Sequence, residues 1–594
     1  MPRFQTMTLT EALAAFLAEN GIQYVLGVGG HGNTPLLEAL MPYHRKGKLR
    51  VVDVQHEAVA AHAAMALKWA YGIESAVFTS IGPGWFNTLI AQATAMSDGY
   101  GYLVFAADKT TAYEGPNMQQ IMRHGQFGFL KAAGAIVKEA YVIVDPRNLY
   151  TILPEALAKT REKGSAGPVD IFLPMNLQAV THEYNLPMLR RKVEPARGRL
   201  RPDPEQVRRA AEEIRRHKRI AMRVGGGAVG AGEAIKALAE TIGAAVIMGP
   251  VALDVVESDF PLNVGAAGSK GSISGNYAAD HATLIINIGG RGVCQADCSA
   301  TLYARARAFI NINLNEIEAH RYNGLPVVGD AAAALEDILA ELRAGPDITP
   351  DARWLAALQR EKKKWERYLA DYYDHPVIGG RLTQPAVVKA ADDHVNSHRG
   401  IKIFDAGDVQ AHGFQICRHL EPKTSLNETG NSCMGFGICA AFGLGLVPDR
   451  KYPTAIIGDG SFLMQAQAIR DMVKHGSNCT VVVLDNQAMG AITALQWAQD
   501  YAAFATVDPA HVEPVDYAAL ARSMGCAAFT PEPSVDSLHD CLEKAYRHPG
   551  PAVVDVKVHL GAEKYAALGA FGRWNVGPWS PTVEAIWEGK RKPE

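Results

Sequence analysis

Asp459 and Asn486 each stand at the end of an apolar run, TAIIGDG for the first and CTVVVLDN for the second, about 27 residues apart. Asp offers a hard carboxylate oxygen and Asn a neutral amide oxygen. With a backbone carbonyl near Ala488 they would part-fill the coordination sphere of Mg2+, leaving the other positions to water or phosphate oxygens. Gly458 and Gly460 let the backbone approach a ligand closely. Gly460 and Ser461 open a helix whose free N–H groups favour an anion. An ordinary strand–turn–helix with a capping Ser accounts for these residues equally well. A second candidate lies far upstream. Glu57, in VVDVQHEAVAAHAAMALKWA, follows a strand-like run and opens a helix. An acid there can exchange a proton with a ligand, or simply sit in the favourable field of a helix N-terminus.

Such residues work only if strands bring them to a common edge, and in parallel α/β sheets that edge lies beyond the carboxyl ends of the strands. The chain offers many suitable runs. IQYVLGV, LRVVDV, ESAVFTS, GYLVFAA and AGPVDIFLP punctuate the first part. RIAMRV, GAAVIMG, ATLIINIG and RAFININLN follow, and then IKIFDAG, PTAIIGDG, CTVVVLDN, CAAFTP and PAVVDVKV. Continuous apolar runs separated by helix-length amphipathic segments predict parallel strands buried on both faces. The expected class is α/β, with three doubly wound parallel-sheet domains at 1–188, 200–345 and 379–562. The polar segment DARWLAALQREKKKWERYLADYYD makes 346–378 a helical linker with no apolar stripe wide enough for a core helix. The aromatic, Gly-rich 563–594 reads as a tail or lid. The first and third domains share a strand–helix rhythm, which suggests two related units around a middle one.

Composition narrows the function classes. The chain has 594 residues, 48% of them apolar, ample for several cores, and a formal net charge of −3 that asks for neither nucleic acid nor a membrane surface. The charged stretch LRRKVEPARGRLRPDPEQVRRAAEEIRRHKR lacks aromatics and intersperses acids, so it reads as a solvated linker and surface helix. No apolar run reaches the roughly 18–20 residues that span a bilayer. The N-terminal stretch reads as an amphipathic helix capped by Thr8 or Thr10, not as a leader peptide. Eight Cys without a C-x-x-C pair read as reduced thiols, and the protein is expected to be soluble and cytoplasmic. Gly225, Gly227 and Gly230 form a G-x-G-x-x-G, but no acid ends a second strand about 20 residues on, so a nicotinamide site is not expected.

The GDGS segment and the later DNQ resemble the metal–diphosphate motif of thiamine diphosphate (ThDP) enzymes. That resemblance implies Mg2+ held by Asp459, Asn486 and the backbone oxygen of Ala488. NSCMGFGICAAFGLG resembles a segment of the acetolactate synthases, which implies that Met434 is the apolar wedge that bends the coenzyme. FDAGDVQ stands where that family has its other diphosphate loop, near Gly407, and departs from it by carrying Asp408. Glu57 matches the family glutamate that hydrogen-bonds N1′ of the aminopyrimidine. The SIGPGWFN loop, with Gly82 and Asn87, lies at the expected distance. The resemblance also implies a homodimer or homotetramer with the coenzyme between subunits, so that Glu57 serves a coenzyme whose metal is held by the partner. FAD, which some relatives bind, is doubtful here, because GGRGVCQAD replaces their flavin-contacting segment.

The reaction class implied is the making or breaking of a C–C bond next to a carbonyl. The first expectation is an acetolactate-synthase-like carboligase or lyase acting on a 2-oxo acid. The GVGGHGN loop, SCMGF and the late WNVG also resemble the trihydroxycyclohexanedione hydrolases of inositol breakdown, which implies the alternative of a hydrolase opening a cyclic 1,2-diketone. A non-catalytic paralogue is the third reading. His31, Gln119, Gln120 and Met489 are the substrate-side candidates, and Trp85 and Phe86 replace small residues of the synthases in a way that could reshape the pocket.

Overall fold

The computed structural model describes residues 4–112, 119–120, 128–194, 198–292, 294–298, 301–509 and 511–569. Three six-stranded parallel sheets, each flanked by helices, carry the architecture, so the α/β class with three doubly wound sheets is what the chain adopts. The first sheet comprises Tyr24–Gly27, Arg50–Asp53, Ser75–Thr79, Leu103–Asp108, Glu139–Val142 and Val169–Pro174, in spatial order second, first, third, fourth, sixth, fifth. The third comprises Ile401–Phe404, Ser425–Asn427, Pro453–Gly458, Thr480–Asp485, Ala527–Phe529 and Ala552–Lys557, in the same order. Between them, Ile220–Val224, Ala245–Met248, Asn263–Ala266, Leu284–Ile288, Ala308–Asn313 and Leu325–Val328 run third, second, first, fourth, fifth, sixth. The central strands are mostly apolar because both faces are covered: all six residues of Thr480–Asp485 are buried.

An antiparallel pair outside these sheets, Phe4–Thr8 with Thr181–Asn185, ties the start of the first domain to its end. Thr8 then caps the helix Leu9–Glu19 in a reciprocal box with Glu11. The helix Ala352–Tyr373 buries only Trp354, Leu358, Trp365 and Tyr372, a narrow seam along an otherwise polar rod. The G-x-G-x-x-G glycines have a packing explanation. A Cβ on Gly225 would lie 2.4 Å from Gly290 Cα, and one on Gly227 2.9 Å from Gly289 Cα, so two strand-end loops of the middle sheet are pressed backbone to backbone.

Within one chain the first and third domains meet through two helices of small residues. Glu57–Tyr71 is rich in Ala and buried along most of its length, and it packs against Phe436–Gly445. A Cβ on Gly443 would sit 2.8 Å from Ala63 Cβ, so Gly here permits the close approach. The two domains thereby share one hydrophobic core. Among the described residues, no helix is long and apolar enough to cross a membrane.

Candidate functional site

Pro453–Gly458 and Thr480–Asp485 are parallel neighbours, with Gly458 opposite Leu484. Asp459 and Asn486 therefore emerge side by side at the carboxyl edge. Asp459 Oδ2 accepts the N–H groups of Asn486 (3.1 Å) and Gln487 (2.6 Å), and Oδ1 accepts that of Gly460 (2.8 Å). Asn486 Oδ1 accepts the Ala488 N–H at 3.0 Å. Between them Gln487 adopts φ 57°, a left-handed bend rare for a residue with a side chain. Its amide pays for the bend by donating to Asp485 (2.5 Å) and to the Val515 carbonyl (3.2 Å).

A cavity of about 290 Å3 opens over this turn. Gly407, Met434, Gly458, Asp459, Gly460, Ser461, Asn486, Ala488 and Met489 all line it, so the structure brings these nine sequence candidates together. Two walls are bare backbone: a Cβ on Gly458 would meet nothing within 4 Å, and one on Gly407 only Ala491 Cβ at 4.0 Å. Met434 and Met489 converge over Gly460, whose hypothetical Cβ would lie 3.4 Å from one methyl and 3.0 Å from the other's sulfur. Asp408 also faces the cavity, and Lys270 of the middle domain stands 3.8 Å from its carboxylate, which offsets the acid beside Gly407.

The donor set can be tested against the groups the motif implies. Burial pushes Asp459 up to about 6, its N–H bonds pull the other way, and nearby Asp485 adds repulsion. Its hydrogen-bond partners are backbone N–H groups, not basic side chains. A buried carboxylate with such neighbours is relieved by a cation. Carboxylate, amide and carbonyl oxygens suit a hard divalent ion, and the glycine-walled space beside a helix N-terminus suits phosphate. The residues present fit both.

Sequence reasoning missed the residue that organises this edge. Asp405, fully buried at the end of Ile401–Phe404, accepts the N–H groups of Ala406 (2.8 Å), Gly435 (3.0 Å) and Gly437 (2.7 Å). It thus holds the turn that presents Met434, and burial pushes its own carboxyl up to about 6. Glu428 holds the preceding loop in the same manner, through the N–H groups of Asn431, Ser432 and Cys433. The available signal was an Asp at a strand end, which FDAG contains.

Glu57 opens its helix after His56, whose Nδ1 accepts the Ala58 N–H at 3.2 Å. Only 6% of Glu57 is exposed. Asn87 Nδ2 donates to Glu57 Oε2 at 2.9 Å, while a Cβ on Gly84 would come within 2.9 Å of Oε1. Gly82 takes φ 58°, and a Cβ there would collide with the Gln120 carbonyl at 2.5 Å. Glu57, Gly82, Asn87 and the Gln120 backbone therefore form one cluster. Gln120 Oε1 is buried with no hydrogen-bond partner among the described residues, and Gln119 is exposed. His31 is exposed, whereas Asn33 is buried and braces its own loop through the Gly30 N–H and the Val28 carbonyl. Trp85 is no pocket wall. Its ring packs against Phe129 and Phe172 in the core, and its Nε1 donates to buried Asp170 at 2.8 Å. Phe86 remains 41% exposed. Met118 and the stretch 574–577 lie outside the described residues. No residue lining the cavity comes from the first domain, so within one chain the Glu57 cluster lies outside the Asp459 cavity.

Comparison with protein families gives three successive matches. Residues 7–127 match the thiamine pyrophosphate enzyme N-terminal TPP binding domain, residues 207–338 its central domain, and residues 405–556 its C-terminal TPP binding domain. Three curated relatives are named 3D-(3,5/4)-trihydroxycyclohexane-1,2-dione hydrolase. That of Shouchella clausii (strain KSM-K16) is 27% identical over 616 residues, covering 96% of this chain and 95% of that protein. That of Halalkalibacterium halodurans is 28% identical over 600 residues, covering 93% and 92%. That of Bacillus licheniformis is 27% identical over 613 residues, covering 96% and 95%.

Proposed function

Since this chain belongs to the thiamine pyrophosphate enzyme family, we propose that it adds water across the C–C bond between the two carbonyls of a cyclic, hydroxylated 1,2-diketone. The observation that carries this substrate class is the likeness, over nearly the whole length of both chains, to relatives named for that hydrolysis. Bound ThDP supplies a carbon nucleophile and an electron sink beside the attacked carbonyl. Asp459, Asn486 and the Ala488 carbonyl would hold Mg2+. Gly407, Gly458, Gly460 and Ser461 would receive the diphosphate, and Met434 and Met489 would press on the ring system.

Glu57 holds the proton exchanged with N1′ of the aminopyrimidine. Asn87 occupies its Oε2, which leaves Oε1, on the Gly84 side, to carry that proton. His31, Gln119 and Gln120 contact substrate. A second copy of the chain brings its Glu57 cluster over this chain's cavity, so the working unit is a homodimer or a pair of them. Hydrolysis delivers the water oxygen to one former carbonyl carbon as a carboxylate and hydrogen to the other, with no carbon lost.

The MGFG segment supports a second reading, a carboligase or lyase of 2-oxo acids, which releases CO2. Purified protein with ThDP and Mg2+ is to be offered cyclic 1,2-diketones and 2-oxo acids in 18O-labelled water. A ring-opened acid bearing one labelled oxygen is the expected product. Acetolactate and CO2 from pyruvate, with the diketones untouched, would replace the first reading by the second. No turnover, with no exchange of the ThDP C2 proton, would leave a non-catalytic paralogue.

A further inference from the structure

On the helical face of the third domain, away from the coenzyme cavity, we propose that His394, His398 and Glu543 form a binding site for a divalent transition-metal ion of the Zn2+ class. His394 lies in the last turn of the helix Gln384–Ser397, and His398 is its C-cap, so the two imidazoles share one face. Glu543 lies on the neighbouring helix Val535–Arg547, which packs against the first through a shared core. One donor atom from each of the three residues lies within 4.8 Å of the others.

Glu543 Oε2 is the point of convergence, 3.0 Å from His398 Nε2 and 3.9 Å from His394 Nδ1. Donor atoms around a tetrahedral Zn2+ stand about 3.3 Å apart, so small side-chain rotations close the set. The supporting groups are already in place. Arg547 Nε donates to Glu543 Oε1 at 2.6 Å, which orients the carboxylate and leaves Oε2 facing the imidazoles. The Tyr546 ring stacks on His398, with centroids 3.8 Å apart, and meets His394 edge-on. Two nitrogens and one oxygen suit Zn2+ rather than Mg2+, which prefers an all-oxygen shell. Gln384, at the other end of the same helix, lines the coenzyme cavity, and ten residues of helix separate it from His394 by about 15 Å. The ion would clamp two helices on the outer face of the sheet and take no part in the reaction.

The test uses untagged full-length protein saturated with ThDP and Mg2+, titrated with Zn2+ against a chelating dye, and with Co2+ as a spectroscopic stand-in. One Zn2+ per chain is expected, with Co2+ giving the visible bands of a four-coordinate ion. Glu543→Gln and His398→Asn should each weaken Zn2+ binding at least about tenfold, with the metal-free melting temperature little changed. His398 is partly exposed at a helix end, so His398→Asn carries the test if Glu543→Gln folds poorly. Equal Zn2+ uptake by wild type and the combined Glu543→Gln, His398→Asn variant would overturn the proposal, as would no uptake by either.

Discussion

Glu57 is buried and yet keeps its two oxygens in different surroundings, one bonded to Asn87 and the other against Gly84. If its task is to hold a proton for N1′, Glu57→Gln removes that proton while preserving shape. Turnover and C2-proton exchange of bound ThDP, followed by NMR, should fall by about 10²–10⁴-fold, with ThDP and Mg2+ affinity little changed. Exchange at the wild-type rate would refute the role. At this scale the sequence was informative where the chemistry is local. Asp459 and Asn486 end adjacent strands, and the strand–helix–strand spacing between them is visible in the letters. Asp405 acts instead through N–H groups 30 and 32 residues ahead, on a turn whose path no spacing rule predicts. Trp85 misled because a bulky residue next to a ligand loop can face either way, and here it faces the core.

The loop around Gly82 and Asn87 is an element held from behind by the Trp85–Asp170 bond. Burial pushes Asp170 up to about 7, against the pull of the Trp85 indole N–H and of the nearby Gln92 side chain. An unfolded Asp titrates near 3.9. The folded state therefore keeps a proton that the unfolded chain releases, so this contribution to stability is complete below about pH 4 and is lost as pH rises towards 7. The slope is about 1.4 kcal/mol per pH unit. Asp170→Asn cannot ionise, and its side-chain carbonyl oxygen can still accept the Trp85 indole N–H. The melting temperature of the variant relative to wild type should rise between pH 5 and pH 8, and a constant difference would contradict the assignment. Elements also differ in how well the sequence announces them. The central strands appeared as continuous apolar runs. Within the three parallel sheets, four strands did not: Glu139–Val142, Asn263–Ala266, Leu325–Val328 and Ser425–Asn427. All four lie at sheet edges. An edge strand has one neighbour and is short, so its apolar signature is weaker, and of the six edges only Arg50–Asp53 and Ala527–Phe529 stood out as runs.

At the scale of the molecule, the first and third sheets share a strand order, and the middle sheet follows another. The similar rhythm of the outer regions was legible in the sequence; the identical topology was not, because strand order depends on which edges pair. Within one chain the two outer domains are joined by the Ala–Gly helix pair, and this packing leaves Glu57 outside the cavity that Asp459 lines. The account therefore requires two chains per site, each giving a different half. Subunit mixing tests this directly. Glu57→Gln and Asp459→Ala chains, each inactive alone, are co-expressed in equal amounts and the mixed dimers assayed. If the halves come from different chains, every mixed dimer holds one intact site and one doubly damaged site, and random pairing restores about a quarter of wild-type turnover. Should the mixture stay as inactive as its parents while mixed dimers demonstrably form, Glu57 and Asp459 would serve the same site from a single chain, and the shared-site account would be wrong.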